Sequence, residues 1–207
     1  MTPAVNSESV GDPRRFRSVA ALDAGLHALP SAPLQVGKVW LLVRRGEGGE
    51  RTELARARLT PASGMPGDAW GRRPTPKPEG QLTVMQRDVA MLIAHGQPLT
   101  LFGDNLFVDL DLSAANLPVG TRLRLGTAIL VVTPKPHNGC KKFAARFGPA
   151  ALRWTAREST RHRNWRGVYM RVVRAGDVAV GDAVRVLARN PRPDSAADAD
   201  LGCNPRS

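Results

Sequence analysis

A short stretch near the middle of the chain places one of only two cysteines among cations and turn-forming residues. Residues 133–143 read TPKPHNGCKKF, so Cys140 follows an apolar run and lies close to Lys135, Lys141 and Lys142. The nucleophile and metal ligand in cysteine chemistry is the thiolate, and neighbouring cations stabilise that charged form. A lone cysteine can also be a small buried hydrophobe. The surroundings favour a reactive Cys140 over a structural one.

The basic residues of the chain are concentrated around this cysteine. The whole sequence has a formal net charge of +12, and residues 135–174 alone contribute eleven lysines and arginines against one acid, Glu158. A concentrated positive field raises the local concentration of anions, and arginine binds phosphate through paired donors. We therefore expect an anionic ligand near a reactive sulfur. The cations are Lys135, Lys141, Lys142, Arg146, Arg153, Arg157, Arg161, Arg163, Arg166, Arg171 and Arg174.

Composition favours one globular domain that is mainly β. The chain has 207 residues, 42% of them hydrophobic, with 20 glycines and 17 prolines spread along it, a content typical of many tight turns. Two cysteines, Cys140 and Cys203, do not make a disulfide framework, so we expect a reducing, cytoplasmic setting. No apolar run approaches the roughly 18 residues that a membrane span requires, so no membrane partner is expected.

The chain divides into a main domain and short extensions. Polar, irregular composition predicts disorder for residues 1–15 and for a C-terminal tail at 191–207. Residues 16–35 predict a docking helix, capped by Ser18, and a linker. Residues 36–190 form the main domain.

The pattern of the main domain predicts seven or eight short strands. Strands are expected near residues 36–44, 52–59, 81–85, 106–110, 121–125, 128–133, 167–173 and 183–187. A loop rich in proline and glycine is expected at 60–80, a short helix at 87–95 and helical turns at 142–154. Short strands at close spacing, joined by glycine turns, predict a mainly β fold, a closed or nearly closed β-barrel with a few short helices.

An ordered series of motifs runs through the predicted barrel. In chain order the motifs are Phe102-Gly103-Asp104-Asn105-Leu106, Val119-Gly120, Cys140-Lys141-Lys142-Phe143 with Arg146-Phe147, Gly167-Val168-Tyr169-Met170-Arg171-Val172, and Gly176-Asp177 with Gly181-Asp182. The series resembles the MOSC domain family, named for the C-terminal part of molybdenum cofactor sulfurases. The resemblance covers about residues 36–189, which is most of the chain.

The resemblance implies a MOSC-type β-barrel like the small domain of pyruvate kinase. It also implies a cysteine that carries sulfur as a persulfide or ligates molybdenum directly, and Cys140 is the matching residue. Cys140 is thereby the candidate metal ligand and the first catalytic candidate. The chain departs from the family pattern at Asp104, where glutamate is more common, and at His137-Asn138, where relatives often have another arrangement.

Residues near these motifs suit a molybdopterin cofactor. Molybdenum favours soft thiolate donors, and the phosphate of its pterin binds arginine, lysine or backbone N–H groups. His137 is the second catalytic candidate, able to orient a ligand or to transfer a proton near neutral pH. The candidate cofactor-binding residues are Asp104, Asn105, Lys135, Asn138, Lys141, Arg146, Arg163 and Arg166.

Each of these residues also has a simpler interpretation. Any one arginine could be a solvent-facing cation with no measurable effect. His137 could be a loop histidine without a role, and Asp104 could anchor the turn at Gly103. The clustering of the residues favours a site.

Three functions stay open at this point. In sulfur transfer, Cys140 accepts sulfur from a cysteine desulfurase and passes it to a metal–sulfur centre, and pyridoxal phosphate belongs to that partner or binds weakly. In molybdenum-dependent reduction of N-hydroxylated compounds, a separate reductase supplies electrons, because the chain lacks a cysteine-rich segment for an iron–sulfur centre. The alternative is a basic nucleic-acid-binding barrel without catalysis, motivated by a pI near 11.2. Aromatic residues make up only 5% of the chain, which leaves little surface for stacking bases.

Overall fold

The structure is a computed structural model and describes residues 10–189. Within that range the helices are α1 (Val19–His27), α2 (Arg87–Ala94) and α3 (Lys141–Thr155). The strands are β1 (Val36–Arg45), β2 (Arg51–Leu54), β3 (Arg56–Leu59), β4 (Leu82–Gln86), β5 (Leu106–Val108), β6 (Arg122–Leu125), β7 (Ala128–Val132), β8 (Val168–Arg174), β9 (Gly176–Ala179) and β10 (Ala183–Ala188).

Seven of these strands close into a barrel. Hydrogen bonding runs in the order β10, β6, β7, β8, β4, β5 and β1, and β1 pairs back with β10 to complete the ring. The sheet is mixed because β4 and β5 are parallel. Aliphatic side chains at alternate positions, such as Leu123 and Leu125 of β6, fill the interior. The predicted closed β-barrel is confirmed.

One predicted strand is divided in two. The sequence predicts a single strand over residues 52–59, but the chain breaks at Ala55, so that β2 pairs with β1 while β3 pairs with β9. The carbonyl of Ala55 accepts the N–H of Val180 at 2.9 Å, a contact that holds the chain toward the two-stranded β3–β9 sheet. Strand β9 is absent from the sequence prediction because its Gly-Asp start is typical of a turn.

The helices cover one side of the barrel. A second apolar cluster joins outward side chains of the barrel, including Met85 and Phe107, to buried residues of all three helices. The hydroxyl of Ser18 accepts the N–H of Ala21 at 3.1 Å and caps α1 as predicted. Asp23 of α1 accepts hydrogen bonds from Trp154 Nε1 at 2.7 Å and from both terminal nitrogens of Arg157. These contacts fasten α1 to α3 and to the segment that follows it.

Residues 10–15, the end of the segment for which the sequence predicts disorder, make defined contacts with the rest of the protein. The carboxylate of Asp12 caps the 3-10 helix Pro13–Arg15, and its N–H donates to Gln97 Oε1 at 2.8 Å. The N–H of Gly11 donates to the carbonyl of Ala145 in α3 at 3.1 Å. Local composition misses these partners because they are distant in sequence. Residues 1–9 and 190–207, with Cys203 and the predicted tail, lie outside the described residues.

Candidate functional site

Cys140 lies at the start of α3, at the end of the loop that leaves β7. It is the N-cap residue, its side chain is exposed, and it makes no capping hydrogen bond. Its carbonyl accepts the N–H of Ala144 at 3.1 Å, which begins the helix. The N-terminal end of a helix carries partial positive charge, and Lys141 and Lys142 stand in the first turn. The thiol is therefore accessible, and it lies beside a helix N-terminus and two lysines.

A break in α3 allows its first piece to position Arg146. Gly148 has φ of 88° and ψ of 155°, and Pro149 starts the second piece, as the sequence predicts. A Cβ at Gly148 would lie 3.0 Å from the ring of Phe16, so the position needs glycine for space as well as for its backbone angles. Arg146 is buried, and its Nη1 donates to the carbonyl of Leu101 at 2.9 Å. Burial lowers the pKa of Arg146. The electrostatic interaction of Arg146 with Cys140 opposes that shift.

Asp104 and Arg166 form a buried ion pair at the centre of the site. Arg166 Nη1 lies 2.6 Å from Asp104 Oδ2, and Asp104 is fully buried. The guanidinium carbon of Arg166 lies 5.0 Å from the ring centre of Phe143 in α3, within cation–π range. Asp104 follows Gly103, whose φ of 72° ends the 3-10 helix Leu99–Phe102. Two distant motifs of the sequence, around residues 102–105 and around Arg166, therefore meet in one charged pair.

His137 lies beside this pair and is buried as a neutral base. Its Nε2 is 3.5 Å from Asp104 Oδ1, too long for a strong hydrogen bond, and its ring centre is 4.6 Å from that of Tyr169. Burial, reinforced by the positive charge of Arg166, lowers the pKa of His137 to about 3 despite the nearby Asp104. Burial and the charge of Asp104 raise the pKa of Tyr169. These surroundings argue against proton transfer by His137 near neutral pH and favour an orienting role.

Asn105 belongs to the framework of the site. Its carboxamide oxygen accepts the N–H and the hydroxyl of Thr83 at 3.1 Å each. Its nitrogen donates to the carbonyl of Val43 at 3.2 Å and to Asp68 Oδ1 at 2.9 Å. Because both ends of the amide are engaged inside the protein, Asn105 has no free polar atom for a pterin. A ligand contact by Asn105 stays a prediction that this arrangement does not favour.

A second buried ion pair comes from a part of the chain that the sequence reasoning did not connect to the site. Arg45 at the end of β1 donates to both oxygens of Asp68, and its Nη2 is 2.6 Å from Oδ2. The N–H of Trp70 also donates to Asp68. Burial raises the pKa of Asp68, but the hydrogen bonds and charge of Arg45 outweigh it, and the net shift is downward. The pair holds the loop at residues 60–80 against the barrel.

Arg51 is the residue of greatest interest that sequence reasoning missed. Burial and the charges of Arg146 and Arg45 lower the pKa of Arg51 to about 10, although Asp104 and Asp68 oppose the shift. Its Nη1 donates to the carbonyl of Gly49 at 2.9 Å, and it forms no ion pair with any residue in the described range. In the sequence, Arg51 is recognisable only as a cation at the start of a hairpin strand. Its electrostatic interaction with Asp104 arises only in the folded protein.

The remaining predicted residues are spread around this cluster. Lys135 Nζ lies 4.8 Å from the ring centre of Tyr169, the ring that also packs against His137. Asn138 and Lys141 flank Cys140 and are exposed. Arg163 is also exposed, and it lines a separate cleft of about 430 Å³ with Leu26, Pro30 and Trp165. The structure thus brings most of the predicted residues together and leaves Arg163 apart from them.

The polar atoms of the cluster fit an anionic ligand. Four buried atoms here lack a hydrogen-bond partner: Nε of Arg51, Nε of Arg166, Oδ1 of Asp104 and Nδ1 of His137. Buried polar atoms usually have partners, so such atoms at a site need an explanation. Two guanidinium donors suit phosphate oxygens, and a carboxylate oxygen suits the amino group of a heterocycle. The donor set is compatible with a phosphorylated pterin.

Cys140 would supply only one of the ligands that a bound metal ion needs. In residues 10–189, no group of three or more His, Cys, Asp or Glu side chains converges in a way that could hold a metal ion. A metal bound to the thiolate would therefore take most of its ligands from its own cofactor. Soft thiolate chemistry at such a position is compatible with molybdenum. Separately, no helix of the described part is both long enough and apolar enough to cross a bilayer.

The fold and the site define a class of protein: a closed, mixed β-barrel with an exposed cysteine at a helix start and buried arginine–aspartate pairs beside it. Comparison with protein families gives this class a name. The MOSC domain family matches residues 79–185, about half of the chain. The chain belongs to the MOSC domain family. Cys140, Asp104 and Arg166 lie inside the matched range, whereas Arg45, Arg51 and Asp68 lie before it.

Individual relatives are more distant. A protein named "Reductase" from Gibberella moniliformis (strain M3125 / FGSC 7600) is 34% identical over 89 residues, which are 42% of this chain and 15% of that protein. The chain therefore spans only a small part of that relative. A crystal structure of a hypothetical protein superposes with a TM-score of 0.56 at 20% identity, covering 76% of this chain and 71% of the other. The YuaD protein from Bacillus subtilis gives a TM-score of 0.51 at 18% identity, covering 73% and 95%. At these identities the two structures support the fold alone.

Proposed function

We propose that this MOSC protein binds a molybdenum–pterin cofactor through Cys140 and acts in molybdenum-dependent reduction. The observation that carries the proposal is the accessible thiol at the start of α3, electrostatically coupled to Arg146 beside a buried cluster with unpartnered guanidinium nitrogens. A soft ligand and a phosphate-binding group at one site are the two things that such a cofactor needs from a protein.

Each residue of the site has a defined part in this proposal. Cys140 supplies the thiolate ligand to the metal. Arg51 and Arg166 bind the phosphate, and the unpartnered Oδ1 of Asp104 accepts a hydrogen bond from the pterin. The bound cofactor would supply the redox chemistry. The chain would hold the cofactor and bury its phosphate end, which excludes competing ligands. Arg163 has no part, because it lines another cleft.

His137 orients the site in this proposal and does not supply protons. With a pKa of about 3 it is neutral at pH 7, so it carries no proton to give as an acid. A neutral imidazole can still donate from one nitrogen and accept at the other. Protons consumed in a reduction must then reach the substrate from solvent at the exposed end of the site, near Cys140.

Reduction also requires an electron source outside this chain. Reduction of an N-hydroxylated substrate breaks its N–O bond, takes up two electrons and two protons, and releases the amine and water. A separate electron-donating reductase would supply the electrons. The name "Reductase" of the relative from Gibberella moniliformis is in keeping with such chemistry. Neither the family match nor the relatives support binding of pyridoxal phosphate.

The test is elemental analysis for molybdenum on protein purified from a host that makes the cofactor. Cys140→Ser is prepared in parallel. Cys203→Ser, which changes the other cysteine of the chain, is the matched thiol control. We expect stoichiometric molybdenum in the parent and in Cys203→Ser and its loss in Cys140→Ser. Absence of molybdenum from the parent would refute the proposal.

Sulfur transfer is the second candidate, favoured by the exposure of Cys140. An exposed thiol can receive sulfur from a partner protein such as a cysteine desulfurase, whereas a buried one cannot. In that case Cys140 gains one sulfur atom as a persulfide when the protein is incubated with a desulfurase and cysteine. Mass spectrometry of the peptide with and without thiol reductant would detect it. An unmodified Cys140 under these conditions would exclude this role.

A further inference from the structure

The barrel wall opposite the helices carries an arginine array. The helices pack on the side of Met85 and Phe107, while β10, β6, β7 and β8 form the other side of the ring. Side chains alternate along a strand, so residues that are not in the core face outward. In β6, Leu123 and Leu125 are core residues, and Arg122 and Arg124 therefore point away from the barrel.

The strand register aligns the arginines in two rows. The first row runs from Arg185 of β10 to Arg124 of β6, then to Ile129 of β7 and Arg174 of β8. The second row runs from Arg122 of β6 to Val131 of β7 and Arg171 of β8. We call Arg124, Arg171, Arg174 and Arg185 the arginine array.

Between positions 10 and 189, no acid forms an ion pair with an arginine of this array. Strands β6, β7, β8 and β10 contain five arginines and not one aspartate or glutamate. Arg124, Arg171, Arg174 and Arg185 make no ion pair with any residue between positions 10 and 189. The aspartates at the end of the β6–β7 hairpin are already engaged: Asp177 with Arg58, and Asp182 with the N–H of Ala179.

Folding does not explain this arrangement. Arg185 and Arg124 are direct cross-strand partners, and like charges in that position destabilise a sheet. The long stems can cover apolar surface, and Ile129 in the first row is only 3% exposed although it faces outward. Glutamine stems would cover Ile129 as well, without placing a second positive charge opposite the first. The array therefore points to a ligand that carries many negative charges.

We infer that the arginine array binds the phosphate backbone of double-stranded nucleic acid without reading its sequence. Neighbouring strands lie about 4.8 Å apart, so the first row spans about 14 Å from β10 to β8. That width is close to the roughly 12 Å of a DNA major groove, so guanidinium groups at the ends of the row can reach phosphates on both strands. The two rows contain arginine and aliphatic side chains only, which provides bidentate phosphate donors and no aromatic platform for unpaired bases.

This surface is independent of Cys140 and of the proposed function. The few aromatic residues of the chain weigh against stacking on single strands, and they do not weigh against contacts to phosphates. Such binding has a specific signature, since each neutralised phosphate of a duplex contributes about −0.9 to the slope of log affinity against log salt. The array predicts a slope of up to about −3.6 if all four arginines contact phosphates.

The test is fluorescence anisotropy with a labelled DNA duplex of 20 base pairs across a range of salt concentrations. The double variant Arg124→Gln with Arg185→Gln is compared with Arg153→Gln with Arg161→Gln, which removes the same charge from exposed sites on α3 and the segment after it. We expect the first variant to reduce the magnitude of the slope by about 2 and the control to keep it. A duplex of unrelated sequence should bind equally.

Three results would overturn the inference. The first is no binding of the duplex by the parent protein at low salt. The second is an equal loss in both double variants, which would mean that net charge alone attracts the duplex. The third is capture of the protein by vesicles rich in phosphatidylserine with no binding of the duplex, which would assign the array to an anionic membrane surface. Circular dichroism of both variants confirms that they are folded before the comparison.

Discussion

The buried neutral state of His137 predicts a specific loss of stability in mild acid. Its pKa is about 3 in the folded protein and about 6.5 in an unfolded chain. A depressed folded pKa means that folding favours the neutral form. The stabilisation is therefore fully present above about pH 6.5 and is lost as the pH falls toward 3.

The magnitude follows from proton linkage. Between about pH 7.5 and pH 5, the unfolded state takes up nearly one proton at residue 137 that the folded state does not, which lowers the free energy of unfolding by about 2 kcal/mol. Over the whole interval down to the folded pKa the loss reaches about 4 kcal/mol. Carboxylates titrate mostly below pH 5, so the higher interval isolates the histidine contribution.

Urea unfolding at about pH 7.5 and pH 5 measures the effect. We compare the parent with His137→Gln and with His162→Gln, because His162 is exposed in the 3-10 helix Glu158–Arg163. His137→Gln should lose the difference of about 2 kcal/mol between the two pH values, whatever its stability at pH 7.5. His162→Gln should keep it. If His137→Gln retains the full pH dependence, the neutral, buried state assigned to His137 is wrong.

Three further changes test the buried cluster. Asp68→Asn leaves the guanidinium of Arg45 without its partner and should lower the free energy of unfolding by about 3–5 kcal/mol. Adding Arg45→Met should recover part of that loss and so confirm the cause. An unchanged stability of Asp68→Asn would contradict this reasoning. Gly103→Ala should lower the free energy of unfolding by about 1–2 kcal/mol, because Gly103 has a φ of 72°. The new Cβ would also lie 2.9 Å from Nη2 of Arg51, so the affinity for inorganic phosphate measured by calorimetry should fall. Gly120→Ala, which has open space around it, should show only the loss of stability. Arg51→Met should raise the thermal midpoint or leave it unchanged while reducing phosphate affinity, since Arg51 is held among like charges, and unchanged affinity would remove Arg51 from the site.

The sequence by itself determined most of the barrel. Alternating aliphatic residues and glycine turns place β6, β7 and β8 close to where the structure has them, because a strand with one buried face has a period of two. The hydroxyl of Ser18 and the Gly148-Pro149 break are equally local signals, and both act as expected. Cys140 could be singled out for the same reason, since its cationic neighbours are adjacent in the chain.

Only the tertiary structure decided which charges share the site. Arg45, Arg51 and Asp68 come from the first hairpin and the loop after it, and nothing in their local sequence connects them to Asp104 or Arg166. The closure of β5 onto β1 brings these segments together, and the resulting burial then shifts the pKa of Arg51 and of His137. Local pattern depends on neighbours along the chain, whereas burial and charge coupling depend on neighbours in space, and these exist only after the barrel has closed.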